Sequence, residues 1–277
     1  MMQAMATLIE GWTPQSHVFR TDSQQEKAQG SDSYFLDSAD QIHFFLEKDA
    51  LDETGQLKSG LAKADALNKV GHGLHVRDET FRTYAQSQKV AKLVRTLGYK
   101  APVLPQSMYI FKQAILGDAV TSHQDSSFLF TEPRPTCLGL WLALQDATLD
   151  NGCLWARPGS HKEPVRRHFA RNPAYFANPE SGAPMMTFKQ LHDGAAVPWE
   201  GGMPQPTPEA AGFVAAPIKQ GDLFVIHGQV DHLSLPNTSP HSRHTFQLHL
   251  IEGPDAGVKW SEENWLQYPA GTSFPRL

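Results

Sequence analysis

The sequence predicts a mainly β fold, a barrel or jelly roll with helix packed outside it, on three observations. Short segments rich in aromatic and β-branched residues recur from about residue 103 onward, and turn chemistry separates them. A single amphipathic helical pattern precedes them. The chain of 277 residues, 40% hydrophobic and 19% charged, is long enough to bury one substantial core, so one domain spanning 1–277 is expected.

Taken in order, residues 1–35 are polar and weakly patterned, and Gln41–Glu47 (QIHFFLE) reads as a strand. Asp78 is a plausible helix N-cap. Beyond it Val90, Leu93, Val94 and Leu97 fall at i, i+3, i+4 and i+7, one helical face, with Gly98 placed to end it. Strands are predicted at 107–112, 137–145, 153–156, 222–227 and 245–251, bounded by turns at Asp150-Asn151-Gly152, Pro158-Gly159 and Gln220-Gly221. Asn151-Gly152 between two apolar runs is a hairpin signal. From about 162 to 217 the composition shifts to Pro, Gly, Ala and mixed charge. Such a loop-rich insertion is expected to cover a pocket, with Arg166 and Arg167 on a solvated face.

Charge narrows the range of partners. The net charge of -5 comes from 24 basic and 29 acidic residues without a run of like charge, which argues against nucleic acid or an anionic membrane and leaves a small-molecule substrate. Cys137 and Cys153 are too few for a disulfide framework, so both are expected in the core and the compartment is expected to be reducing. With no segment that reads as a leader or a membrane span, a cytoplasmic monomer is the expectation.

Metal chemistry is suggested by Ser122-His123-Gln124-Asp125. In extended chain, residues i and i+2 share a face, so His123 and Asp125 project together, two thirds of the 2-His-1-carboxylate set of non-haem iron oxygenases. A third ligand must come from a distant strand. His227 and His232 are both candidates, and His232 has better company: Ser234 lies two residues on and Arg243 eleven on. If the chain turns at Leu235-Pro236-Asn237, both could share the wall that carries His232, and the guanidinium could clamp a dicarboxylate. His161, His244 and His249 read as surface or packing residues, and so do His72 and His75, for which a pocket role stays open.

These motifs resemble the phytanoyl-CoA dioxygenase family: QSMYIFKQ (106–113), HQDSSFLFTEP (123–133), LWLALQDATLDNGCLWARPGSH (140–161) and GDLFVIHGQVDHLSLPNTSPHSRHTFQLHL (221–250). The similarity runs from about Gln29 through WSEENWLQ (260–267). It implies a double-stranded β-helix enzyme that uses Fe(II), 2-oxoglutarate and O2 and releases succinate and CO2. By the same resemblance His123, Asp125 and His232 match the iron ligands and Arg243 and Ser234 the 2-oxoglutarate contacts, with no catalytic side chain beyond the ligands. Lys69, Met108 and Trp141 match further co-substrate contacts, although the residues alone read as a solvated charge and two core positions. Asp125 implies hydroxylation, because family halogenases carry a small residue there. Relatives also begin with a helix and an early strand that this chain is expected to lack. The competing readings are a zinc hydrolase built on the same three ligands, which leaves Arg243 and Ser234 without a task, and a non-catalytic jelly-roll binding protein. Nothing in the chain marks a coenzyme A site.

Overall fold

Two antiparallel sheets face each other across a cavity. The larger has six strands in the order β1-β2-β3-β13-β6-β11: β1 (Ile42–Leu46), β2 (Leu67–His72), β3 (Pro102–Lys112), β6 (Leu138–Ala143), β11 (Leu223–His227) and β13 (Arg243–Glu252). The smaller runs β10-β7-β12-β4: β4 (Val120–His123), β7 (Leu154–Ala156), β10 (Val214–Ala216) and β12 (His232–Ser234). From β3 onward the chain passes back and forth between the sheets, β3-β4-β6-β7 and then β10-β11-β12-β13, the double-stranded β-helix that the family resemblance implies, while β1 and β2 extend the large sheet beyond β3. Two further pairs, β5 (Thr131–Glu132) with β14 (Lys259–Trp260) and β8 (Arg167–Arg171) with β9 (Met186–Gln190), flank this body. The computed structural model describes residues 1–20, 32–114, 116–192 and 194–277. The expected start of the family similarity near Gln29 lies outside them. No helix among the described residues is long and apolar enough to cross a membrane.

Alternation along β13 explains how the large sheet serves two environments. Phe246, Leu248 and Leu250 point outward into the main apolar core, while Arg243, Gln247 and His249 line the cavity. Both faces are buried, so this strand carries an apolar stripe and a polar stripe at once. Helices α2 (Glu79–Ala85) and α3 (Gln88–Thr96) cover the outer face through Phe81, Ala85, Val90 and Val94. Asp78 caps α2 by accepting from the Thr80 and Phe81 amides, and Ser87 caps α3 through Val90. The predicted single helix is thus two, and its last apolar position, Leu97, is exposed; Gly98, at φ +96°, ends it as expected.

Three expectations need correction. Asn151-Gly152 does not close a hairpin: β6 and β7, on either side, lie in different sheets. Within residues 1–35, expected to be polar and weakly patterned, Met2–Gly11 form helix α1, which sends Met5 and Ile9 into the core beside Phe44 and Leu46, so a helix does precede β1. Arg166 and Arg167 are not solvated. Arg166 is 1% exposed and donates to Asp231, Glu200 and Glu163, while Arg167 pairs with Glu200 at 2.9 Å and stacks 3.8 Å over the Phe188 ring. With Arg157 on Asp231 and Glu163, three guanidiniums meet three carboxylates, which ties the insertion to the chain just before His232. Charges buried this deeply persist only when paired in this way. The insertion is also less irregular than its composition suggests, since it supplies β8, β9 and the edge strand β10. Cys137 and Cys153 are buried and free, as expected.

Candidate active site

His123, Asp125 and His232 converge at one end of the cavity, with one ligand atom from each lying within 4.8 Å of the others. The two histidines are direct partners across the β4–β12 ladder, their ring centroids 4.2 Å apart. Asp125 is not in the strand: it opens a 3-10 turn, Asp125–Ser127. Gln124 is still extended (φ -109°, ψ 129°), so the predicted i, i+2 projection survives.

Hydrogen-bond accounting fixes which ring nitrogens face the centre. His123 Nδ1 lies 2.8 Å from the Thr121 carbonyl and His232 Nδ1 3.0 Å from the Val230 carbonyl. A carbonyl only accepts, so both Nδ1 atoms carry the proton and both Nε2 lone pairs are free. Each Nε2 is 3.6 Å from Asp125 Oδ1. Two lone pairs and a carboxylate oxygen aimed at one point, with protons held behind them, form a site that a divalent cation fits. Burial alone would raise the Asp125 carboxyl, but the imidazoles around it, His232 and His249 foremost, hold it well below the usual carboxylate range.

His249, which reads in the sequence as packing, belongs to this site. Its Nε2 lies 3.3 Å from Asp125 Oδ2, and its Nδ1 is 3.1 Å from Gln106 Nε2. The amide donates, so Nδ1 accepts and the Nε2 proton goes to Asp125. Gly139 leaves room for this contact, because a Cβ there would stand 3.2 Å from Asp125 Oδ2.

The cavity, about 140 Å³, runs from these residues to Arg243, Ser234 and Lys112. Arg243 is 2% exposed and donates to Gly152 O at 2.8 Å and Thr245 Oγ1 at 3.2 Å, while its Nε has no partner. Burial lowers its pKa to about 10. A buried guanidinium that lines a cavity and has no carboxylate partner among the described residues fits an anionic group. Ser234 and Arg243 do not share a wall, as the sequence suggested: β12 is in the small sheet and β13 in the large one, so they approach from opposite sides. Trp141, with Arg243 5.1 Å over its ring, and Met108 line the space between.

Lys69 is buried rather than solvated. Its Nζ sits 3.3 Å from the centre of the Phe19 ring and 3.0 Å from His72 Nε2, and burial pushes its amine well below the ordinary value. His72 Nδ1 in turn meets Ser38 Oγ at 2.7 Å; because that hydroxyl also bonds the Phe35 carbonyl, it accepts from His72, leaving Nε2 to accept from Lys69. His72 is therefore in the cavity wall. His75 is buried on Ser107 and Leu104, and His244 bonds Tyr109. His227 is an exposed strand end beside His161, away from the centre. Phe128, edge-on to His123, and Phe169, which comes from the insertion, form an aromatic wall of the cavity, and Trp265 lines it beside His72.

The fold, the centre and the buried guanidinium opposite it define a class: non-haem iron dioxygenases that depend on 2-oxoglutarate. Comparison with known proteins narrows this. Residues 6–245 match the family model described as phytanoyl-CoA dioxygenase (PhyH), so the match begins well before Gln29, and the chain belongs to that family. It is 43% identical over 256 residues to the rat (Rattus norvegicus) phytanoyl-CoA dioxygenase domain-containing protein 1, covering 92% of this chain and 80% of the relative. It is 42% identical over 252 residues to an Arabidopsis thaliana phytanoyl-CoA dioxygenase, covering 91% and 78%. Among solved structures it resembles the epimerase SnoN in complex with Fe3+, alpha ketoglutarate and nogalamycin RO, with TM-score 0.52 and 19% identity over 78% of this chain and 75% of that one, a likeness of fold.

Proposed function

We propose that the protein hydroxylates a small organic substrate with an apolar body, with His123, Asp125 and His232 as the iron ligands and Arg243 and Ser234 receiving the far carboxylate of 2-oxoglutarate. The observation that carries this reading is the spacing of two charge centres along one cavity, three ligand atoms within 4.8 Å at one end and a buried guanidinium with a vacant donor at the other. When bound, iron and 2-oxoglutarate supply, with O2, the oxidation that places hydroxyl on a C–H bond and releases succinate and CO2.

The chain's own contribution is geometric. Arg243 and Ser234 fix one end of the co-substrate, Trp141 and Met108 form its flanks, and Lys69, held by His72 and the Phe19 ring, offers a donor on the β2 side. Phe128 and Phe169 exclude water beside His123, and with Trp265 they give an apolar substrate its contact surface. A zinc hydrolase would leave Arg243 and Ser234 idle. The test is 2-oxoglutarate consumption in air with Fe(II), across a library of small apolar compounds. A substrate is expected to raise succinate formation in step with a product heavier by one oxygen, whereas compounds cleaved without succinate would replace this reading with hydrolysis.

A further inference from the structure

We propose that Lys112 is a second cationic anchor for the far carboxylate of 2-oxoglutarate, acting as a pair with Arg243. The inference rests on the reading that Arg243 receives that carboxylate. Lys112 on β3 and Arg243 on β13 are direct partners in the ladder, so both side chains enter the cavity at one level. They are 3% and 2% exposed, and among the described residues neither makes an ion pair with a carboxylate. Like charges placed directly opposite on a sheet are unfavourable, and burying them adds desolvation. An anion between them would offset both.

Donor accounting places that anion. An ammonium has three protons; Lys112 gives one to Ser234 Oγ at 2.7 Å. Ser234, accepting from Lys112, keeps its own proton free to donate into the cavity. One oxygen of a carboxylate can then take the Arg243 donor and the other the Lys112–Ser234 pair. Two acids on the same cavity wall, Glu47 and Asp118, act on Lys112 only through space: Glu47 accepts from Asn68 at 3.0 Å, Asp118 pairs with Lys48, and neither forms an ion pair with Lys112. Gly152 holds both cations in place: its carbonyl accepts from Arg243, and a Cβ there would lie 2.5 Å from Lys112 Cε and 2.7 Å from the Leu235 carbonyl. The lysine stem passes where any other residue's side chain would begin.

The test uses protein loaded with Mn(II) in place of Fe(II), with 2-oxoglutarate binding followed by calorimetry. Loss of one charge-assisted hydrogen bond in Lys112→Met is expected to weaken 2-oxoglutarate about 10- to 150-fold. Mn(II) affinity should be unchanged. Binding of 2-oxopentanoate, which lacks the far carboxylate, should be equally weak in both proteins. If Lys112→Met binds 2-oxoglutarate within about threefold of wild type while Arg243→Met does not, the proposal is overturned and the reading of Arg243 stands. If neither variant loses affinity, both fall. Should Lys112→Met not fold, a crystal of the wild-type protein with Mn(II) and N-oxalylglycine decides: Lys112 Nζ is expected about 2.7–3.2 Å from the far carboxylate, and a separation beyond about 4 Å would overturn the proposal.

Discussion

Replacing His249 by leucine isolates what supports the carboxylate of the centre. Asp125 uses its two oxygens differently: Oδ1 stands 3.6 Å from both imidazole Nε2 atoms, and Oδ2 is taken by His249 at 3.3 Å. Leucine fills similar space without the donor, so Asp125 is free to rotate about its last torsion and must be reoriented when a cation binds. A hydrogen bond to a charged group contributes about 1.5–3 kcal/mol, equivalent to about 10- to 150-fold in affinity. Groups that orient metal ligands in this way change metal affinity by about 10- to 100-fold when removed. The assay is anaerobic competition for Fe(II) against a fluorescent chelator. His249→Leu should weaken binding within that range, His249→Gln, whose amide can still donate, should recover much of it, and His227→Leu should do nothing. A His249→Leu protein that folds and binds Fe(II) within about threefold of wild type would refute the argument.

Other consequences follow from burial. Glu47 is buried and its carboxyl is pushed up to about 7, chiefly by desolvation, so the folded state binds more protons than the unfolded state between about pH 4.5 and 7. Stability should therefore fall as pH rises through that window, by an amount on the order of 3 kcal/mol. Glu47→Gln should flatten the slope in urea titrations at pH 5 and pH 8; a parallel slope would show that other groups set it. Arg166→Met removes the donor shared by Asp231, Glu200 and Glu163 and should cost about 3–5 kcal/mol in chemical unfolding, with a loss under about 1 kcal/mol contradicting the buried network. Gly152→Ala combines a φ of +82° with a Cβ driven into Lys112 and Leu235. It should weaken 2-oxoglutarate binding by about tenfold or more, read in the same calorimetric titration, and unchanged affinity would place the glycine outside the site.

Much of this was legible in the sequence where local pattern carries the information. Strands β1, β3, β6, β7, β11 and β13 announced themselves through aromatic and β-branched runs, whereas β2, β8, β9 and β10 did not; His123 and Asp125 kept their common direction because only Gln124 separates them, although Asp125 begins a turn. What stayed hidden depends on partners far along the chain. Arg166 looks like any charge in a polar loop until Asp231, 65 residues later, is brought against it. Asn151-Gly152 has hairpin chemistry, but apolar runs buried on both faces do not reveal which sheet each one joins. His249 did leave a trace. Arg243, Thr245, Gln247 and His249 alternate with Phe246, Leu248 and Leu250, and a polar stripe on a strand otherwise made for a core marks a cavity with chemistry in it. Helix α1 was equally visible in principle, since Met5, Leu8 and Ile9 share one helical face.

His123, Asp125 and His232 are proposed to be the residues that would hold the iron, with Arg243 receiving the far carboxylate of 2-oxoglutarate. The most direct test is anaerobic addition of Fe(II) and then 2-oxoglutarate to the apoprotein, recorded in the visible region. A charge-transfer band is expected in wild type and in His227→Ala, and should be absent in His232→Ala. A band that survives in His232→Ala and vanishes in His227→Ala, or no band in the wild-type protein, would contradict the account.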